Sequence, residues 1–527
     1  MMPTVPAPWS IERSAAWLVR GIGLVYAVAG ASLWGQIIGL VGARGILPIA
    51  QRAGDATASF GAWWAQPSLL WFWPTDGALE TACAAVVMAG VALALAPGDR
   101  PRADGRAGAR RWTPAWAPTA AAVVAWAGYL SLVGVGDVFL GYQWDGLLCE
   151  AGFLTIWLAA ALRHDVDAAT DAGGTGRSIR RIPTRRMIWL CRLLVARLMF
   201  ASGLVKLRGD VVWRDLSALS HHFMTQPLPT RAAWFAHHLP PGVLRAMTAG
   251  ALAIELGAPL LVFGPRRARR TAAWLFIALQ LAIGLTGNYG FFNVLTAVLC
   301  LSLLGDAAPV PPTADVASTG APTVGPTVPP TVAPTWTARI GRALQTAVVI
   351  TVLWLTITPL ALAAGWRPSS PAAAPVVAPF VVLAPWRIVN PYGLFADMTT
   401  VRPEIVLEGT LDGRTWRPFP LRWLPSDVHR APRLAGPHMP RLDWQLWFAA
   451  LEVGAGGEAP GWLGRFLEAL KRGDPSVVAL VAADPFHGLR PTAVRAVLVD
   501  DRFSDAATRR RTGAWWVRSG GRVVAER

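Results

Sequence analysis

Long apolar stretches, separated by short segments rich in arginine, constrain the fold of this chain more than any other feature of its sequence. A helix needs about 20 apolar residues to cross a bilayer, and several of these stretches approach that length. Nine spans are predicted, at 17–40, 79–96, 116–135, 139–162, 187–207, 243–263, two within 271–304 on either side of a bend at TGNYGFFN, and 339–364. We therefore expect an α-helical multipass membrane domain of about nine spans.

The composition agrees with insertion into a membrane. The chain is 53% apolar and 15% charged, whereas soluble domains usually contain about 25% charged residues. Its net charge of +17 could suggest a nucleic-acid partner, but the arginines cluster in short loops, with five in 100–111, six in 163–186 and four in 266–270. Such loops are typical of the cytoplasmic side of membrane proteins. We therefore expect the lipid bilayer as a partner and no nucleic acid.

The same loops predict an orientation. If all three face the cytoplasm, the N-terminus is cytoplasmic, and residues 208–242 and everything from 365 onward lie outside. The outer side would be the periplasm of a bacterial inner membrane, or the lumen of the endoplasmic reticulum in a eukaryote. The first apolar stretch could instead be a cleaved signal peptide, but it is long for a signal, so an uncleaved span is predicted.

The chain is expected to divide into parts of different composition. These are a multipass membrane domain over 1–305, a Pro/Thr/Ala-rich linker over 306–338, a last span over 339–365 and a globular C-terminal domain over 386–527. The linker composition cannot bury a core, so the linker is expected to be extended or disordered.

The C-terminal domain has the patterns of a small α+β or β-sandwich-like fold. EIVLEGTLDGRTWRPFPL alternates apolar and polar residues on both sides of Asp412 and Gly413, which predicts a β-hairpin. Further strands are predicted over 493–504 and 513–524, and short helices over 444–451, 462–470 and 475–482.

Ionisable side chains within the apolar stretches are the first candidates for a functional site, because charge in a bilayer is costly. Together with the polar residues near them they form a candidate polar core: Gln143, Asp145, Glu150, Arg192, Arg197, Lys206, Arg208, Asp210, Trp213, Arg214, Asp215, Gln226, Pro227, Glu255, Asn288, Tyr289 and Asn293. Three bases (Arg192, Arg197, Lys206) balance three acids (Asp145, Glu150, Glu255), as ion pairs between helices or as the lining of a polar cavity. Asp145 and Glu150 point about 140° apart on a helix, so a two-carboxylate catalytic site is not expected.

Lys206 is one of only two lysines among 49 basic residues. It could lie at a helix end and extend its amine to the interface, or it could have a chemical role, since Lys can lose its proton and Arg effectively cannot. Two histidine doublets, at 221–222 and 237–238, flank the QPLP turn. They are interpreted as an interfacial polar rim, with His222 as a candidate general base near Lys206. Their spacing matches no zinc signature, so no metal site is predicted.

Other cofactor and catalytic motifs are absent from the sequence. The four cysteines (Cys83, Cys149, Cys191, Cys300) lie in or beside apolar stretches without C-x-x-C spacing, which argues against a disulfide framework or a thiol catalyst. There is no G-x-S-x-G elbow, Walker loop or Rossmann fingerprint, and no cofactor is expected.

Several ordered motifs carry a resemblance to a known family. The runs GLVKLRGD, WRDL, QPLP and LTGNYGFFN, followed in the tail by APWRIVNPYGLFADMTTVRPEIVLEG and PHMPRLDWQLWFAAL, resemble the lipase maturation factor family of polytopic membrane proteins. The resemblance implies several spans, a C-terminal part facing the secretory lumen, and a role in bringing secreted clients such as lipases to their active form. Before the QP turn this chain reads ALSHHFMT, where the family tends to carry aromatic and acidic residues.

The tail motifs supply a second set of candidates, for docking or for client binding: Arg387, Asn390, Tyr392, Arg441, Asp443, Trp444 and Trp447. They could anchor the tail on the membrane domain, or they could form a client-binding surface, since aromatic residues and Arg dominate binding hot spots.

Two other functions remain open at this point. GLVKL followed by a Trp- and His-bearing segment is similar to the membrane half of vitamin K-dependent gamma-carboxylases, and this implies an intramembrane enzyme with Lys206 as its base. A transporter is a third possibility, because buried charges also mark transport paths. A non-enzymatic maturation factor is the function predicted.

Overall fold

The computed structural model describes residues 9–96, 114, 116–171, 182–306 and 336–527. The arginine-rich loop at 100–111, part of the loop at 163–186 and most of the predicted linker lie outside the described residues. The helices are α1 (Ile11–Trp34), α2 (Ile37–Val41), α3 (Ala50–Thr57), α4 (Phe60–Ala65), α5 (Asp76–Ala94), α6 (Ala117–Val135), α7 (Gln143–Asp171), α8 (Ile182–Arg208), α9 (Val211–Arg214), α10 (Ala218–Thr225), α11 (Arg231–His237), α12 (Pro241–Leu261), α13 (Arg266–Thr286), α14 (Phe292–Leu299), α15 (Trp336–Ala363), α16 (Ala374–Leu383), α17 (Arg441–Gly454), α18 (Gly461–Arg472), α19 (Pro475–Val478) and α20 (Ala506–Thr512). The strands are β1 (Pro403–Thr410), β2 (Trp416–Phe419), β3 (Ala493–Phe503) and β4 (Trp516–Glu526).

Seven helices in the described part of the chain are long and apolar enough to cross a membrane: α1, α5, α6, α7, α8, α12 and α15. The predicted count of nine is not confirmed. The two spans expected within 271–304 correspond to α13, which begins with four arginines in its first five residues, and to the short helical segment Phe292–Leu303. The predicted bend between them is confirmed, and it contains Gly290 at φ +57°, a conformation that favours glycine. α15 begins at Trp336, within the last residues of the predicted linker.

The two ends of α1 contact different parts of the molecule. At its start, Ser10 forms a β-bridge with Asp306, whose carboxylate accepts a hydrogen bond from Arg269 in α13 at 2.5 Å. At its other end, the Ser32 hydroxyl accepts a hydrogen bond from the Met439 amide at 2.9 Å. The arginine cluster of α13 and the C-terminal domain therefore lie at opposite ends of α1.

The C-terminal domain contains a four-stranded antiparallel sheet in the order β2-β1-β3-β4. The predicted hairpin is confirmed, with Gly413 at φ +72° and the Asp412 carboxylate accepting hydrogen bonds from the Arg414 and Thr415 amides. Helices α17 and α18 pack against β1 and β3. Because the described residues of this domain hold one sheet covered by helices, the α+β prediction is supported and the β-sandwich alternative is not confirmed.

One continuous apolar core joins the two domains. A single cluster of buried side chains includes Leu33 of α1 and Trp144 of α7 together with Trp444 of α17 and Leu463 of α18. The Trp144 and Trp444 rings meet edge to face, with their centroids 4.7 Å apart. Since burial of apolar area is the main stabilising term in folding, the membrane helices and the C-terminal domain are expected to unfold together.

Glu404 is a buried acid in β1, and its titration tests whether β1 is buried in the folded protein. Glu404 is only 2% exposed, and its carboxylate pairs with Arg402. Burial raises the pKa of Glu404 to about 7, although the nearby Arg402 charge opposes the shift.

We predict that the free energy of unfolding falls as the pH rises from about 4.5 to about 7 and then levels off, because over this range the folded protein keeps a proton that the unfolded chain has released. Glu404→Gln removes this contribution. The difference in unfolding free energy between wild type and variant should change by on the order of 3 kcal/mol between pH 4 and pH 8. Denaturant titrations of the detergent-solubilised protein measure it. Glu408→Gln, on the same strand, is the matched control, and an equal change in both variants would contradict the assignment.

Candidate functional site

A buried ion pair connects the first turn of α7 to the first residue of α17. Asp145 is fully buried, and Arg441 is 1% exposed. The Arg441 guanidinium donates to both carboxylate oxygens, from Nη1 at 2.9 Å and from Nη2 at 2.8 Å. The Tyr129 hydroxyl also donates to Asp145 at 2.5 Å, and Arg441 Nη1 also donates to the Phe139 carbonyl at 2.7 Å. Such two-pronged pairs with further hydrogen bonds are the geometry in which a buried charge is tolerated, although Arg441 Nε is buried without a partner among the described residues.

Glu150, further along α7, is the second buried acid. It pairs with Arg197 of α8, and Arg197 also donates to the Thr356 hydroxyl of α15 at 2.8 Å. The other carboxylate oxygen of Glu150 accepts hydrogen bonds from the Asn390 amide at 3.0 Å and from the Tyr392 hydroxyl at 2.7 Å. One carboxylate therefore holds together α7, α8 and the segment that leads into the C-terminal domain.

Lys206 forms the third pair. Its Nζ lies 2.5 Å from Glu255 Oε1 of α12 and 5.0 Å from the centre of the Trp213 ring. Lys206 lies in the last turn of α8 and is 8% exposed, so its amine is enclosed by protein. Arg192 donates to the Ser302 and Gly305 carbonyls at 2.9 and 2.7 Å, and it has no ion pair with any residue that the structure describes.

Ion pairs between membrane helices, one of the two interpretations of the sequence, are thus found for Glu150 with Arg197 and for Lys206 with Glu255. Asp145 takes its basic partner from the C-terminal domain.

The QPLP turn and the bend after α13 are a further part of the contact between the membrane helices and the C-terminal domain. The Tyr289 hydroxyl donates to Gln226 at 2.8 Å, and Asn288 Nδ2 donates to the Arg433 carbonyl at 2.8 Å. Trp444 Nε1 donates to the Asn288 carbonyl at 3.1 Å. The turn, the bend and α17 are therefore fixed to one another by hydrogen bonds. We call the whole set of buried contacts between the membrane helices and the C-terminal domain the domain junction.

Five of the other sequence candidates also bridge the two domains. The bridging contacts are Gln143 Oε1 with the Gly393 amide at 3.0 Å, Asp210 with the Met398 amide at 3.3 Å, Trp213 Nε1 with the Phe395 carbonyl at 2.9 Å, Pro227 through its carbonyl with Arg402 at 2.9 Å, and Trp447 Nε1 with the Thr225 carbonyl at 3.1 Å. The remaining candidates make local contacts: Arg208 lies against Gly365, Arg214 donates to the Leu207 and Gly209 carbonyls, Asp215 accepts from Ser217, Asn293 donates to the Gln280 carbonyl, and Asp443 accepts from the Trp423 and Leu424 amides.

His222 is not arranged as an effective base. Its ring is 9% exposed, and Nε2 lies 3.4 Å from the Tyr289 hydroxyl. Burial lowers the pKa of His222 to about 3, and the charge of Lys206 adds to the effect. The ring is therefore neutral at physiological pH and a weak proton acceptor. Within the described ranges, no three His, Cys, Asp or Glu side chains are grouped to hold a metal ion, and the four cysteines are free and buried.

Most of the tail candidates are buried. Arg387 is partly exposed, and the other six are at most 6% exposed. These six are Asn390, Tyr392, Arg441, Asp443, Trp444 and Trp447. Their burial favours the anchor interpretation over a client-binding surface.

Arg402 is a residue of the junction that the sequence did not single out. It is 1% exposed and donates to the carbonyls of Met224, Gln226 and Pro227. It lies within one of the tail motifs, but nothing in its local sequence marks it as buried, because its acceptors are backbone atoms of a distant turn.

Comparison with known proteins gives one match for the membrane helices and another for the C-terminal domain. The family described as the lipase maturation factor transmembrane domain matches residues 13–309, and the lipase maturation factor C-terminal domain matches residues 388–525. The chain belongs to the lipase maturation factor family. Lipase maturation factor 2 of Homo sapiens is 34% identical over 95% of this chain and 80% of that protein. Lipase maturation factor 1 of Mus musculus is 28% identical over 97% of this chain and 87% of that protein. No solved structure matches the chain.

The family resemblance seen in the motifs is therefore confirmed. Together with the seven apolar helices, it makes this chain an integral multipass membrane protein. The domain junction lies between the two matched parts, with Asp145 and Glu150 on one and Asn390 and Arg441 on the other.

A double-mutant cycle tests the Asp145–Arg441 pair. Asp145→Asn and Arg441→Gln should each lower the free energy of unfolding by about 3–5 kcal/mol, because each leaves the other charge buried without a partner. The double variant should lose clearly less than the sum of the two, as measured by denaturant unfolding in detergent.

The matched control is the same cycle on Glu408 and Arg495, a partly exposed pair at 2.8 Å, whose coupling should be about 0–1 kcal/mol. Strict additivity at Asp145 and Arg441 would contradict the proposed role of the pair.

Proposed function

We propose that this protein is a membrane-bound maturation factor that helps exported proteins, lipases among them, to reach their folded and active form at the outer face of the membrane, in the periplasm or lumen. Family membership supports the maturation role, since relatives that match most of the chain are named lipase maturation factors. The observation that carries the proposal is the domain junction, because buried ion pairs and a shared core combine membrane helices and C-terminal domain into one fixed surface.

The charge distribution supports the outer placement of that surface. The arginine cluster at the start of α13 lies at the end of the membrane helices opposite the C-terminal domain. Arginine-rich ends face the cytoplasm in most membrane proteins, so the opposite end is assigned to the outer side. The start of α1 meets the arginine-rich end, and this supports a cytoplasmic N-terminus.

A client would meet two parts of the chain together. The segment at 209–240 packs against the C-terminal domain, where Trp234 Nε1 donates to the Ser504 carbonyl at 3.0 Å. Exposed apolar side chains remain on these parts, among them Phe235 at 57%, Leu434 at 63% and Leu489 at 62%. Exposed apolar groups of this kind are candidate contacts for a partially folded client.

Deleting the gene should lower the specific activity of secreted lipase while leaving the amount synthesised unchanged. A photocrosslinker at Leu489 or Leu434 should capture the lipase in intact membranes. The matched control is a crosslinker at Arg339, at the start of α15, and it should not capture the lipase. Unchanged specific activity after deletion would contradict the proposal.

Substitution of Lys206 separates the maturation factor from the intramembrane enzyme. Lys206→Arg keeps a positive charge beside Glu255 but effectively cannot exchange its proton, so a maturation factor should retain most of its effect on lipase specific activity. Lys206→Met should lower the free energy of unfolding by about 3–5 kcal/mol, because Glu255 is left unpaired. Loss of activity in a folded, normally abundant Lys206→Arg variant would favour the enzyme.

A further inference from the structure

A cavity of about 380 Å³ opens at the domain junction, where α7 begins and where α8 and α15 end. Its size is within the range of small-molecule sites, roughly 300–1,000 Å³. One side is apolar and includes Val205, Leu362 and Ala363. The other side is polar and includes Gln143 and Arg387. A ligand that fits both sides has a polar and an apolar part.

The polar side offers donors that the protein leaves unused. Arg387 forms no side-chain hydrogen bond or ion pair with the residues that the structure describes. Gln143 uses Oε1 to accept from the Gly393 amide at 3.0 Å, and its amide nitrogen has no partner in the same part of the chain. Glu150, the nearby acid, is already bound by Arg197 and Asn390. The polar side therefore carries a positive charge and free N–H groups, which is the chemistry that binds an anion.

The backbone of Arg387 is held in an uncommon conformation beside this cavity. Its φ of +55° lies in the left-handed region, which costs a non-glycine residue free energy. The Arg387 amide donates to the Ala384 carbonyl at 3.0 Å, and its own carbonyl accepts from Asn390 Nδ2 at 3.0 Å. Since Asn390 is itself bound to buried Glu150, the junction fixes the position from which Arg387 reaches the cavity.

An aromatic cluster indicates the depth of the cavity in the bilayer. Trp386, the neighbour of Arg387, packs against Trp63, Trp64 and Trp126, with ring centroids 5.7, 5.0 and 6.4 Å away. Tryptophans concentrate where lipid headgroups meet the hydrocarbon. Arg387 therefore lies at the level of the headgroups. Apart from Val205 of α8, the apolar side of the cavity belongs to α15, whose side chains Trp354 and Ile357 are exposed.

We propose that this cavity binds the headgroup of an anionic phospholipid. Arg387 and the Gln143 amide nitrogen contact the phosphate, and the acyl chains leave along the apolar side of α15. The absence of a free carboxylate on the polar side, within the described residues, disfavours the choline group of a zwitterionic lipid. The proposal is based on the cavity and the residues around it, and it does not depend on the maturation role.

The test uses the full chain in detergent, titrated with phosphatidylglycerol or phosphatidylcholine and followed by native mass spectrometry. Wild type should retain a phosphatidylglycerol in preference to phosphatidylcholine. Arg387→Ala should weaken that binding by about tenfold or more, since a charged hydrogen bond is lost. Gln143→Glu should weaken it as well, and it keeps the oxygen that accepts from Gly393, so it decides the question if Arg387→Ala fails to fold.

Arg339→Ala is the matched control, because it removes a guanidinium from the other end of α15, and its binding should equal that of wild type. Equal affinity for the two lipids, or unchanged binding in folded Arg387→Ala and Gln143→Glu, would overturn the proposal. Inorganic phosphate and oleate are the competing probes. If either displaces phosphatidylglycerol at an equal concentration, the site recognises a free anion or a fatty acid, and the phospholipid assignment is wrong.

Discussion

Two buried acids, Asp145 and Glu150, each need a basic partner, and this is the constraint on which the rest of the structure depends. Both acids lie on α7, an apolar helix, where an unpaired charge would be costly. Arg197 of α8 partners Glu150, but the basic partner of Asp145 is Arg441, which is 296 residues away in the sequence. The membrane helices therefore depend on the C-terminal domain to compensate their own buried charge.

This dependence explains why the C-terminal domain is not a separate unit tethered to the membrane. Trp444 extends the same contact by donating to the Asn288 carbonyl, and Arg402 adds hydrogen bonds to the carbonyls of the QPLP turn. The apolar core continues from α1 into α17 and α18 without interruption. The segment at 209–240 is fixed between these parts, so the face offered to a client is composed of both domains. The cavity beside Arg387 is a product of the same contact, because its walls come from α7, α8, α15 and the segment before the sheet.

Local patterns in the sequence were enough to predict many elements. Apolar length predicted the seven helices that can span, and Asp412 followed by Gly413 predicted the hairpin. The span count was not confirmed where length and charge conflict, since α13 begins with arginines and Phe292–Leu303 is short. For the junction, the sequence supplied the buried acids and two of their partners. It did not supply Arg402, because hydrogen bonds to backbone carbonyls leave no pattern in side-chain identity.

By itself the sequence determined the class of the protein, its membrane helices, its α+β tail and its family, because apolar periodicity, turn residues and ordered motifs are local signals. Only the tertiary structure decided that Arg441 neutralises Asp145, that most of the tail candidates are buried anchors, and that Arg387 is left partly exposed beside a cavity. The physical reason is that a charge chooses its partner by distance and geometry in the folded state, and residues far apart in sequence are brought to that distance only by packing.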